Sequence, residues 1–280
     1  MEANVNSEEK NEARKTAQAT QLRAARAIRE QVLAGRTPRE RGNEKKRAAL
    51  DWVYRWGWAS PTTIEQTGGA QRTGLAARLV KRGYLRSTRT ESGGGERGIP
   101  SYILTLTEKG LMEVERFQTT LLHYELDPTR VRQNKLRHDQ LCQSATLTQL
   151  QNKKITGFLT EKEMAKVSAA GVKQPDVCWI DDNTKTAIEI ELSSKWGRDF
   201  DGFVTGCLSS LVSVNQPPRF NFINIVSDSP AIVARYKAAF QPGQSYPEWK
   251  KDSKGKWIEA RKIQIPSWAK ERVLCKLIQS

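Results

Sequence analysis

Two runs of strand character, PDVCWID and TAIEIELS, stand close together across Asp182-Asn183-Thr184, and nothing else in the chain constrains its fold as tightly. Runs of this kind so closely spaced pair as a hairpin, which commits this part of the chain to a sheet. The hairpin carries acids. Asp176 opens the first run, and Glu189 and Glu191 alternate with Ile188, Ile190 and Leu192 in the second, so a period of two puts both glutamates on one face. Carboxylates on a strand that reads as buried are costly to desolvate unless a cation neutralises them, and hard oxygen donors favour Mg2+ or Mn2+ over zinc. A solvent-facing edge hairpin would carry the same acids without any ion.

The elements around the hairpin are predicted to alternate. RQNKLRHDQLCQSATLTQLQ reads as a helix with Leu136, Leu141, Ala145, Leu147 and Leu150 inward and His138 and Asp139 in its middle, and ITGFLTE reads as a strand. After the hairpin come a helix over RDFDGFVTGCLSSLVSV, a third strand of the same sheet over RFNFINIVS, and a helix opened by Ser229-Pro230. QPGQSYPEWKKDSKGKW is predicted as a loop, ARKIQIP as an edge strand and SWAKERVLCKLI as a terminal helix.

The N-terminal part is built differently. Residues 1–43 read as a charged helical arm with a thin stripe of Leu22, Ile28, Val32 and Leu33, followed by a basic linker punctuated by Gly35, Pro38 and Gly42. From Glu44 the spacing predicts a helix over KKRAALDWVYRW, a second opened by Ser60-Pro61, and a third, QRTGLAARLVKRGYL, with Leu75 and Leu79 inward. Two short strands, YLRSTRT and SYILTLT, joined by the tip ESGGGERGIP, and a helix capped by Thr107 complete a winged helix-turn-helix over residues 44–120. Double-stranded DNA is its natural partner, although winged helices also dock proteins. Gln71, Arg72 and Thr73 sit where a recognition helix reaches base edges, Arg78, Lys81 and Arg82 suit phosphates, and Arg89, Glu91 and Arg97 flank the wing tip. Trp52, Trp56 and Trp58 are expected in the core and between domains rather than against bases.

Charge agrees with a polyanionic partner without naming one. The 280 residues carry +15, spread as +5, +3 and +7 over residues 1–50, 51–118 and 119–280. No apolar run approaches a membrane span, and no apolar region of a secretory signal opens the chain, so no membrane insertion and a cytoplasmic, reducing location are expected. Cys142, Cys178, Cys207 and Cys275 form no CxxC pair and read as buried free thiols.

The order Pro175-Asp176, Glu189-Ile190-Glu191, Lys195 resembles the PD-(D/E)XK nuclease superfamily, with its restriction-endonuclease-like fold. The resemblance implies that Asp176 and Glu189 hold the metal. Glu191 stands where the family has a Lys, leaving Glu191 as a further acid for the metal and Lys195 as the displaced amine, with His138 or Asp139 as a polar contribution from the preceding helix. A winged helix followed by RHDQL, PD and EIELSSK, over residues 45–227, resembles the replication-relaxation family, which includes the MOBC-class relaxases of mobilisable plasmids. The fold expected is thus mixed α+β and α/β, a winged helix over 44–120 followed by a nuclease-like domain over 121–280. The function implied is recognition of an origin of transfer or replication and nicking of one strand with Mg2+ or Mn2+, in company with coupling or accessory transfer proteins. Attack by water and covalent attack by a tyrosine, with Tyr124, Tyr236 and Tyr246 as candidates, are both compatible with such a site. A non-catalytic replication or transfer accessory protein with a degenerate nuclease fold is the alternative.

Overall fold

The computed structural model describes residues 18, 20–24, 35–69, 74–168, 174–212 and 218–278. Of the predicted arm, residues 18 and 20–24 are helical and exposed, and the remainder of its predicted helix lies outside the described residues. The linker expected up to residue 43 is corrected from Pro38 onward. The Thr37 hydroxyl accepts from the Glu40 N–H while the Glu40 carboxylate accepts from the Thr37 N–H, a reciprocal cap that starts α1 (Pro38–Trp56) with proline at its first position. The chain divides into two compact units, Met1–Ala48 and Ala49–Ser280.

In the second unit, Ser60 caps α2 (Pro61–Thr67) by accepting from the Thr63 N–H, and Leu75, Ala76 and Leu79 bury one side of α3 (Leu75–Lys81). Gln71, Arg72 and Thr73 lie outside the described residues. The strands β1 (Leu85–Arg89) and β2 (Tyr102–Leu106) pair antiparallel, and Thr107 caps α4 (Glu108–Glu115). Gly110 lets α4 lie directly on the chain: a Cβ there would collide with the Tyr84 carbonyl.

Two short 3-10 turns, Pro128–Arg130 and Gln133–Lys135, lead into α5 (Leu136–Gln151), β3 (Gly157–Thr160), α6 (Glu161–Val167), β4 (Val177–Asp181) and β5 (Thr184–Ile190). Asp181 pairs with Thr184, so the hairpin turn is only Asp182-Asn183, and Asp182 takes φ +48° to close it. Then follow α7 (Gly197–Leu211), β6 (Phe222–Ser227), α8 (Pro230–Ala239), β7 (Ser245–Lys251), β8 (Trp257–Gln264), α9 (Ala269–Arg272) and β9 (Val273–Leu277). The central sheet has five strands in the order β3-β4-β5-β6-β9, antiparallel from β3 to β5 and parallel from β5 to β9. The molecule is therefore mixed α+β.

Alternation along β5 and β6 divides the core. Val177, Ile188 and Ile190 join Leu50, Trp52, Cys142 and Leu147 of α1 and α5 on one face of the sheet. Ala187, Ile223 and Ile225 join Phe203, Val204, Leu208 and Tyr236 of α7 and α8 on the other. The first cluster runs from residue 49 to residue 190, and Trp52 and Trp56 pack their rings on Phe158 at 5.2 and 5.9 Å, so apolar packing crosses the boundary expected at 120/121 without a break.

The C-terminal expectations need correction. The predicted terminal helix is only α9, and VLCKL forms β9 beside β6. The predicted loop contains β7, which pairs with β8 as a separate two-stranded sheet. On α5, Leu136 and Leu147 are buried, but Leu141, Ala145 and Leu150 are only half-buried, and Cys142, Gln143 and Thr146 take the inner positions instead. Cys178 and Cys207, like Cys142, are buried and in no disulfide, whereas Cys275 is half-buried on β9. Among the described residues no helix is long and apolar enough to cross a membrane.

Candidate active site

Asp176 stands immediately before β4, where the ladder already holds it. Its N–H donates to the Ile188 carbonyl at 3.1 Å, and its Oδ2 accepts from the Ile190 N–H at 2.7 Å. The carboxylate is thus fixed across the hairpin by backbone. Glu189 and Glu191 follow the period of two, at 6% and 5% exposure, which is deep for carboxylates. Glu191 lies just past the end of β5, and its N–H still donates to the Val226 carbonyl of β6 at 2.8 Å.

Buried Glu191 and half-buried Asp176 are each met by a basic side chain. The Lys195 amine pairs with the Glu191 carboxylate, four residues on, and lies 4.7 Å from the Phe203 ring centroid. His138, from α5, brings Nε2 to 3.1 Å from Asp176 Oδ2 and Nδ1 to 3.1 Å from Asp139 Oδ1. The Trp58 indole N–H then donates to Asp139 Oδ2 at 3.4 Å. A line of contacts therefore runs from the exit of α1 through Asp139 and His138 to Asp176. Burial favours the neutral imidazole, but the two carboxylates outweigh it and hold the His138 pKa well above its ordinary value.

These groups open into one cleft of about 790 Å3. His138, Asp176, Glu189, Glu191 and Lys195 line it together, with Lys135 and Arg137 at the start of α5 and with Glu91, Ser92 and Glu96 from the β1–β2 connection. Gln133 ties that connection to α5 by accepting from the Glu91 N–H at 3.2 Å. Asp139 faces away from the cleft, into a smaller cavity of about 120 Å3 shared with Arg55, Cys142 and Lys162. Five acids line the main cleft, and Asp176, Glu189 and Glu191 are the three that the hairpin contributes.

Sequence reasoning overlooked three of the residues gathered here. The sequence places Glu91 and Glu96 only in the tip ESGGGERGIP, because the tertiary placement of the connection is what brings them to the cleft. Cys142, taken as core, is buried, but its Sγ lies 3.9 Å from His138 Nδ1, and burial pushes its thiol up to about 12. His138, Cys142 and Asp176 offer ligand atoms all within 4.8 Å of one another, a softer donor set than the three carboxylates. The i, i+4 spacing of His138 and Cys142 on a helix was the available signal.

The basic candidates lie elsewhere. Arg78, Lys81 and Arg82 are exposed at the C-terminal end of α3, Arg89 is exposed at the end of β1, and Arg97 is exposed in the β1–β2 connection. The chain matches no family model, and no curated protein or solved structure is significantly similar to it.

Proposed function

We propose that this chain is a DNA-nicking enzyme, a relaxase-like protein that binds an origin of transfer or replication and cleaves one phosphodiester bond with Mg2+ or Mn2+. The observation that carries the reading is the convergence of Asp176, Glu189, Glu191 and Lys195 on one cleft, held by a backbone-fixed hairpin. The antiparallel meander β3-β4-β5 with α5 before it and α7 and β6 after it suits the nuclease-like domain that the PD and EIELSSK motifs suggest. Helices α1 to α3 with the β1–β2 hairpin suit a winged helix, on whose surface Arg78, Lys81, Arg82, Arg89 and Arg97 are exposed basic residues of the kind that contact phosphates.

A divalent ion bound by Asp176 and Glu189 would polarise the scissile phosphate and lower the pKa of an attacking water. The chain's own residues set the geometry. The Ile190 N–H and His138 orient Asp176, and Lys195 neutralises Glu191 and places a positive charge where a phosphate would enter.

The tyrosines favour water as the nucleophile. The Tyr124 hydroxyl donates to the Gly57 carbonyl and accepts from the Leu106 N–H, both at 2.8 Å. Tyr236 is 0% exposed, and burial together with neighbouring Glu191 raises its pKa. Tyr246 sits on β7 against Phe200, away from the cleft lining.

The test is nicking of supercoiled plasmid carrying the protein's own origin region in Mg2+, Mn2+ or EDTA. A metal-dependent nick that falls about 100-fold or more in both Asp176→Ala and Glu189→Ala, with no protein retained on the DNA after phenol extraction, supports the reading. A second reading, a DNA-binding accessory protein with a degenerate site, is favoured by the ion pairs His138–Asp176 and Lys195–Glu191, which neutralise two of the acids without any metal. Origin binding without nicking in either metal would select it.

A further inference from the structure

Two exposed tryptophans belong to none of the apolar clusters, and one of them adjoins the cleft. Trp196 follows Lys195 directly and is 72% exposed, and Trp257 on β8 is 41% exposed. Neither ring is loose. The Arg235 guanidinium lies 3.6 Å from the Trp196 ring centroid and 4.4 Å from that of Phe200, which clamps the indole from behind. Arg198, two residues past Trp196, lies 4.6 Å from the Trp257 ring, and Lys251 lies 5.3 Å from it.

The hairpin that carries Trp257 is anchored on α7 by Trp249, whose indole N–H donates to Asp201 at 3.0 Å, and by the edge of Tyr246 on Phe200. A groove of about 650 Å3 between α7 and this hairpin includes Arg198, Trp249 and Trp257 in its lining. Residues 245–264 hold six basic and three acidic residues, and one acid, Glu248, is already paired with Arg261. Large apolar rings held open to water, each flanked by cations, present π-faces to bases and positive charge to the phosphates between them.

We propose that Trp196, Arg198 and Trp257 form a track for single-stranded DNA that leads from the cleft onto the β7–β8 hairpin. Trp196 stacks an unpaired base next to the bond positioned by Lys195, and Trp257 stacks a second base farther along the strand. The track extends the nicking reading, since it supplies the strand that the cleft would cut, but its binding is measured without cleavage.

The experiment follows fluorescence polarisation of a labelled 12-nucleotide oligo-dT and of a labelled duplex in EDTA, using the full chain. Trp196→Ala and Trp257→Ala are each expected to weaken oligo-dT binding about five-fold or more, with duplex binding changed far less and Trp196→Phe restoring most of the loss. Unchanged oligo-dT affinity in the doubly substituted protein, with its circular dichroism intact, overturns the track. So does a loss confined to binding of anionic phosphatidylglycerol vesicles, which would make the rings a lipid contact. Absence of nicking together with tryptophan-dependent oligo-dT binding would defeat the enzyme reading and leave the track standing.

Discussion

His138 shows how one side chain can carry opposing demands. Its burial argues for a neutral ring, yet carboxylates meet both nitrogens, and the balance raises its pKa from the ordinary 6.5. Linkage gives the sign. A group whose folded pKa exceeds its unfolded one adds stability that is fully present below the unfolded value and drains away as pH rises toward the folded value. In EDTA, the stability advantage of the wild type over His138→Gln is therefore expected to be largest below about pH 6.5 and to shrink steadily through pH 7 and 8.5. Urea titrations of both proteins at those pH values measure it, and an advantage that grows with pH would mean that the ring is neutral in the fold. The sequence made His138 and Asp139 visible as polar residues on a helix, but not this balance, because it depends on Asp176, some forty residues away in the chain.

Elements were legible where local chemistry decided them. The tight turn at Asp182-Asn183, the serine and threonine caps before α2, α4 and α8, and the alternation of β5 all act within a few residues, and the sequence reported them faithfully. The C-terminal segment departs from the helix predicted for it because its demand is tertiary. Ala-Lys-Glu-Arg favours helix, and only the open edge of β6 recruits the next five residues as a parallel strand. Pro247 is accommodated in β7 because it sits in a two-stranded sheet with an open edge, where a missing N–H is tolerated. Helix α5 departs from its predicted apolar stripe in another way: its inner face carries polar side chains. Gln143, fully buried, accepts from the Trp52 indole N–H at 2.8 Å and donates to the Trp58 carbonyl at 3.0 Å, while Thr146 accepts from the Trp179 indole at 2.9 Å. Gln143→Met keeps the side chain's bulk and removes both partners, leaving two buried polar groups unpaired. A loss of about 2–4 kcal/mol is expected in urea unfolding, and a loss below about 0.5 kcal/mol would show that water reaches those groups.

Those same contacts decide how the Ala49–Ser280 unit behaves as a whole. A recognition module joined to a cutting module by a linker would unfold in two steps and would place its cut variably. Here Trp52 and Trp56 lie on Phe158, Arg55 forms an ion pair with Glu163, and the β1–β2 connection supplies one wall of the cleft that holds Asp176. Removing residues after 120 would strip Trp52 of Gln143 and Phe158 and expose an apolar face that α1 to α4 cannot cover alone. The expected outcome is one cooperative transition for Ala49–Ser280, with tryptophan fluorescence and far-ultraviolet circular dichroism coincident, and no sharp transition for a 44–120 fragment. Two separated transitions, or a fragment that melts cooperatively by itself, would restore the modular picture. The distinction would reach the proposed function, because in a single unit a DNA strand bound by the N-terminal helices would meet the acidic cleft at a fixed offset. A nick mapped on the origin should then fall at one constant distance from the protected footprint, whereas flexibly joined modules would scatter it over several positions.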